Sequence, residues 1–436
     1  MKNKLLFMVF LILIFSSNSF AWILVIKGGR IFTMSEGIIE DGIILIENNR
    51  ISEVGKDIEI PEGASVLDAS GKIVTPGLFD AFTQIGLKEI SEEESTVDIS
   101  EKSDPLTPQV RTIDAFNSQS ELIPVTRIEG VTTILSAPAT DNVIAGQSAV
   151  LELAGENVNE MIIKAPAALH INFGEKPTSV WRERKKIETR MGLVSRLRQK
   201  FIEAEEYAAK WTKFETEMDE YIANMNLPKN KRKKDLEEPE PPERDLGLEI
   251  MVEAINGEIP VIASANRKDD ILTAINVSEE FGFRLILLYG TDAYKIADIL
   301  EKKNIPVLVG PITTQPSKME KLGAIYENAA ILDRAGVRIA IITSGSHDVR
   351  DLRFQAGIAA QYGLSISTAL KAITAYPAQI LGVDNDLGSI EPGKLANIAI
   401  FDGDPLQPLT KVTDVIIEGR AVPMESMQTR LYERYK

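Results

Sequence analysis

The stretch Pro76-Gly77-Leu78-Phe79-Asp80-Ala81-Phe82-Thr83-Gln84-Ile85-Gly86 decides how the rest of this 436-residue chain is read. It follows the apolar run Lys72-Ile73-Val74-Thr75 and a Pro-Gly break. That pattern predicts the end of a buried strand at Ile73–Thr75, then a loop that aims side chains into a cavity. A barrel enzyme places its first catalytic residues at such a point. The side chains offered here are Phe82 and Gln84, and neither activates water unaided.

Downstream, short apolar runs alternate with helical patterns. Strands are predicted at Thr132–Leu135, Ala168–Asn172, Val261–Ala263, Leu285–Leu288, Val307–Val309 and Arg338–Ile342, and helices at Lys268–Phe281, Ala293–Lys303, Lys318–Ala335 and Asp351–Tyr362. Nearly continuous apolar strands separated by helices call for a parallel sheet covered on both faces, and the length favours an eight-fold barrel over an open doubly wound sheet. The two ends of the chain have a different texture. Runs at Ile23–Lys27, Ile31–Thr33, Gly42–Glu47, Arg50–Val54 and Val66–Asp68, punctuated by Gly28-Gly29 and Asn48-Asn49, read as hairpins. Asn397–Phe401 and Val412–Glu418 continue the same pattern, so one small sheet domain is expected from both termini.

One segment stands outside the alternation. From Arg190 to Met225 apolar residues recur every three or four positions, which predicts a single amphipathic helix, either packed on the barrel or serving as a lid or docking arm. The basic run Lys229–Lys234 and the Pro-rich acidic run Glu237–Glu243 then read as a solvated linker.

Lys2 and Lys4, the apolar core Leu5–Phe15 and the small-residue end Ser19-Phe20-Ala21 have the layout of a signal peptide cleaved after Ala21, with a core shorter than the roughly 20 residues that span a bilayer; an uncleaved N-terminal anchor is the alternative. A secreted or periplasmic protein with no membrane span after cleavage is expected. A net charge of −16 argues against nucleic acid as a partner. The absence of Cys removes disulfides and thiolate chemistry.

The motifs Ile26-Lys27-Gly28-Gly29-Arg30-Ile31, Asp68 through Asp80, Gly130-Val131-Thr132-Thr133, Leu387 through Ala396 and Phe401-Asp402-Gly403-Asp404-Pro405-Leu406 resemble those of the metal-dependent amidohydrolase superfamily, in particular exported members similar to imidazolonepropionases. The resemblance implies an α/β fold: a (β/α)8 TIM barrel over residues 75–386 with a helical insertion at about 182–247, and a small β-sandwich from residues 22–74 and 387–436. It also implies a metal centre at the barrel mouth, built from a His-x-His motif, a strand-four lysine, a strand-five histidine motif, a further histidine and a strand-eight aspartate. The matching positions here are Phe82, Gln84, His170, Ser264, Asn266, Tyr289 and Ser344.

Counting leads to the same place independently. Two His, His170 and His347, and no Cys cannot assemble a His-rich zinc site from one chain. Without a metal to lower the pKa of bound water from about 15.7 to near 7, the family's hydrolytic step lacks its nucleophile. His347-Asp348 with Ser344 or Ser346 is too local to form a catalytic triad, and His347 reads as a surface residue. His170 is expected to hydrogen-bond within the pocket. Asp80 is expected to cap its loop or pair with Arg267.

The expectation is therefore a catalytically impaired family member with no metal or other cofactor. It would bind a small polar ligand, or support a partner in a homo-oligomer or a mixed oligomer with an active relative. The contrasting expectation is an active hydrolase of C–N bonds in amides or cyclic imides.

Overall fold

The computed structural model describes residues 22–233 and 235–436, so the signal-peptide reading lies outside the described residues. The N-terminal strands are β1 (Ile23–Phe32), β2 (Ile38–Glu47), β3 (Arg50–Gly55), β4 (Ser65–Asp68) and β5 (Ile73–Pro76). The central strands are β6 (Leu78–Thr83), β7 (Val131–Ser136), β8 (Ile144–Glu152), β9 (Ile162–Asn172), β10 (Val261–Ala265), β11 (Leu285–Tyr289), β12 (Val307–Val309) and β13 (Ile339–Ile341). The C-terminal strands are β14 (Ile398–Phe401), β15 (Val412–Ile417) and β16 (Arg420–Ala421).

Strands from the two chain ends share one eight-stranded sheet, ordered β16-β15-β14-β5-β1-β2-β3, with β4 also on β1. Gly28-Gly29, read above as a turn, lies inside the continuous strand β1 and marks a bulge. At the bulge β1 changes neighbour: Leu24–Lys27 pair with β4 and Arg30–Ile31 pair with β5. Only glycine fits there, since Gly28 has φ +80° and a Cβ on Gly29 would stand 2.6 Å from Val74 Cγ2. Ile73–Thr75, assigned above to the barrel, belongs to this sheet instead, as β5 between β1 and β14. The Pro76-Gly77 break separates the two sheets, and the quoted stretch itself supplies the first barrel strand, β6.

The second sheet has eight strands in sequential order from β6 to β13. It closes nearly into a barrel where Ser344 N–H donates to Phe82 O (3.2 Å) and Gln84 N–H to Gly345 O (3.0 Å). Seven strands run parallel. The exception is β8, antiparallel to both β7 and β9. The sequence reading missed β8, and a wholly parallel sheet is corrected accordingly. Phe79, Leu135, Val150, Ile262, Ile286, Leu288, Leu308 and Ile342 fill the interior, so the barrel is a packed core with its chemistry confined to the mouth.

Around it, helix Lys268–Phe281 forms where expected and stops at Gly282, which takes the left-handed conformation that ends helices. The helix expected over Lys318–Ala335 is instead a 3-10 turn at Met319–Lys321 and a helix at Asn328–Arg334. The 36-residue helix Arg190–Met225 starts at Thr189, whose side chain accepts from Gly192 N–H. Its first half is docked: Phe201 stacks on Phe281 and Phe283 (4.9 and 5.1 Å), and Arg198 pairs with Glu280. Beyond Tyr207 the helix buries only Asn224. Asn224 exchanges hydrogen bonds with Lys233, and Tyr207 Oη accepts from Asp245 N–H, so the segment after the helix is tied back at both ends. Among the described residues no helix is long and apolar enough to cross a membrane.

Candidate functional site at the barrel mouth

Side chains alternate in and out along each strand, so those at the C-terminal strand ends converge on the mouth. The seven positions singled out in the sequence gather here, and they fall into two kinds of surroundings. Phe82 on β6 is 0% exposed, its ring 5.9 Å from the rings of both His170 and Tyr289. His170 on β9 is buried, and its Nε2 has no hydrogen-bond partner, contrary to the expected pocket hydrogen bond. Burial without a charge partner pushes its pKa down to about 3, which keeps the imidazole neutral.

The other positions are hydrogen-bonded. Ser264 Oγ donates to Asn172 Oδ1 at 2.7 Å. Asn266 is engaged at both ends of its amide: Nδ2 donates to Glu320 Oε1 (3.2 Å) and Oδ1 accepts from Thr291 Oγ1 (2.7 Å). Tyr289 Oη and Ser344 Oγ share a hydrogen bond of 2.7 Å. Both residues hold left-handed backbone, at φ +72° and +61°, an uncommon conformation for any non-glycine and least comfortable for a bulky tyrosine. Burial raises the Tyr289 phenol to about 12. Gln84, half-buried just past β6, is held by the backbone bond that closes the barrel.

Asp80 lies behind Phe82. It does not pair with Arg267, which bonds Asp269 instead. Its fully buried carboxyl accepts from Phe82 N–H (3.1 Å), Thr343 N–H (3.3 Å) and Thr343 Oγ1 (2.5 Å), joining the first strand to the chain just after the last. Burial raises it to about 7 despite these donors. His347 is exposed, with one ring nitrogen 3.0 Å from Glu89 O, as a surface histidine.

A metal ion of the kind the resemblance implies needs several converging lone pairs. Phe82 offers hydrocarbon, and the Ser264, Asn266, Tyr289 and Ser344 side chains are already bonded to protein partners. Among the described residues no three His, Cys, Asp or Glu side chains gather to hold a metal. The residues present do not fit such an ion.

Beside the closed centre a cleft of about 170 Å³ opens at the ends of β10, β11 and β12. Asn266 and Tyr289 form its inner wall, and Lys321, Ile325 and Tyr326 its outer wall. Sequence reasoning found the inner wall. It missed Lys321 and Glu320, which it had placed within a continuous helix.

The family model described as the amidohydrolase family matches residues 73–422. The chain belongs to the amidohydrolase family. The crystal structure of an amidohydrolase from Thermotoga maritima is 34% identical, covers 92% of this chain and 99% of that one, and superposes with a TM-score of 0.81. Amidohydrolase tasK of Hapsidospora irregularis is 25% identical over 87% of this chain, which spans only 40% of that protein's length. A dihydroorotase of Geobacter sulfurreducens is 56% identical over 57 residues, 13% of each chain.

Proposed function

We propose that this amidohydrolase-family protein is an exported, non-hydrolytic member that holds a small polar ligand at its barrel mouth. The observation that carries the reading is Phe82. Its buried ring, packed on His170 and Tyr289, occupies the first-strand position where the resemblance sets a metal ligand. Neutral hydrogen-bonding groups persist on the far side of the mouth, next to an open cleft, and such a lining suits holding a ligand more than cleaving it. Support of an active relative in a mixed oligomer is compatible with the same site.

Metal analysis of the purified protein, joined to hydrolysis assays on N-acyl amino acids, dipeptides and cyclic imides, tests this. The expected result is substoichiometric metal and no turnover. About one zinc per chain, with activity that chelators abolish, would overturn it. A second reading, hydrolysis of C–N bonds in amides or cyclic imides, draws on the amidohydrolase and dihydroorotase names of the relatives. The export component predicts that the secreted or periplasmic protein begins at Trp22 on N-terminal sequencing.

A further inference from the structure

The cleft beside the mouth contains a charge that the protein does not answer. Lys321 is half-buried, with its ammonium 5.4 Å from the centroid of the Tyr289 ring. Among the described residues the ammonium has no ion pair and no hydrogen bond, and burial holds its pKa below the usual lysine range. The adjacent carboxylate is committed elsewhere. Glu320 accepts from Glu175 N–H (2.6 Å) and Asn266 Nδ2 (3.2 Å), and it lies 3.9 Å from Arg190.

A desolvated cation without a counter-ion is costly, and the Tyr289 face offsets part of that cost. An incoming anion would offset the rest. Among the described residues no acidic side chain lines the cleft, Glu320 acting on the ammonium only from outside it; Val309, Ile312, Ile325 and Tyr326 give it apolar walls, with Thr314 and Asn328 as neutral polar neighbours. Its volume of about 170 Å³ equals roughly six liquid waters at about 30 Å³ each. One cation matches a single negative charge better than a phosphate dianion, which needs several charged donors.

We propose that this cleft binds a small monocarboxylate with a compact apolar body, its carboxylate on the Lys321 ammonium and its apolar part against Tyr289 and Ile312. The inference rests on the binding reading above and names the ligand class.

Isothermal titration of the full chain with four probes tests it: 3-methylbutanoate, phenylacetate and the two corresponding neutral amides. The acids should bind at least tenfold more tightly than the amides. Lys321→Gln should erase that preference while leaving amide affinity unchanged, and Lys321→Arg should retain most of it; thermal melts of both variants confirm folding. Equal affinity for acids and amides, an acid preference that survives in Lys321→Gln, or no binding by any probe overturns the assignment. Amide binding without acid preference or cleavage would sink the role of Lys321 and leave the binding reading standing. Metal-dependent cleavage of phenylacetamide would sink the binding reading, whichever way the acids partition.

Discussion

The two halves of the barrel mouth hold equivalent strand-end positions and treat them in opposite ways. On the β6 and β9 side, Phe82 and His170 are closed into the core, one as hydrocarbon and the other as a neutral ring with an unpartnered nitrogen. On the β10 to β13 side, Ser264, Asn266, Tyr289 and Ser344 keep their polar atoms and bond them to one another or to neighbours. The difference teaches that equivalent strand-end positions can be filled by packing on one side of a barrel mouth and by a hydrogen-bonded network on the other.

The strongest way to break this comparison is at Phe82. Phe82→Ala should destabilise the fold by about 3–5 kcal/mol, the usual cost of deleting a buried aromatic ring, measured by urea unfolding. A cost below about 1 kcal/mol would mean that the ring is not part of the core. Next comes Asp80→Asn, expected at pH 4 to cost about 1–3 kcal/mol because the amide cannot reproduce all of the carboxyl's bonds to Phe82 and Thr343. This variant also carries a pH signature. The folded carboxyl is raised from 3.8 to about 7, so its contribution is complete below pH 4 and is lost as pH rises to about 7. Relative to Asp80→Asn, the unaltered protein should lose stability across that window, by up to about 1.4 kcal/mol per pH unit.

Tyr289→Phe should cost about 1 kcal/mol by removing the bond to Ser344, seen as a lower urea midpoint with an unchanged slope. The smallest effect at neutral pH is expected for His170→Leu, within about 1 kcal/mol of the parent, because no hydrogen bond is lost. Its signature lies in acid. The folded imidazole is depressed from 6.5 to about 3, so the parent loses stability as pH falls through that range and the leucine variant should not. Matching acid sensitivity in the two proteins would show that His170 is solvated, and the contrast between the two halves would fail.

Much of this was legible in the sequence, for identifiable reasons. Helix Lys268–Phe281 and the helix from Arg190 to Met225 emerged at the expected residues because apolar periodicity is local and each has an end signal, Gly282 after the first and Thr189 before the second. The strands β9 to β13 were visible as short apolar runs. Strand β8 was not, because Ile144–Glu152 is buried at every position and nothing local records that it runs against its neighbours. The assignment of Ile73–Thr75 to the wrong sheet has the same origin: an apolar run reveals a strand and not its partners. The site positions came from residue identity. Their bonds did not, since Tyr289 with Ser344 and Asp80 with Thr343 join residues 55 and 263 positions apart.

The sheet assembled from both chain ends has a consequence for biosynthesis. Val74 of β5 pairs in register with Ile400 of β14, although nearly the whole barrel separates them in sequence. At a synthesis rate of about 5–20 residues per second, the N-terminal strands wait roughly 16–65 s before their C-terminal neighbour exists. During that interval β5 lacks the partner it has on that edge in the finished sheet. The barrel can be translated before the sheet beside it is complete, so the last strands made act as the clasp that protects the first.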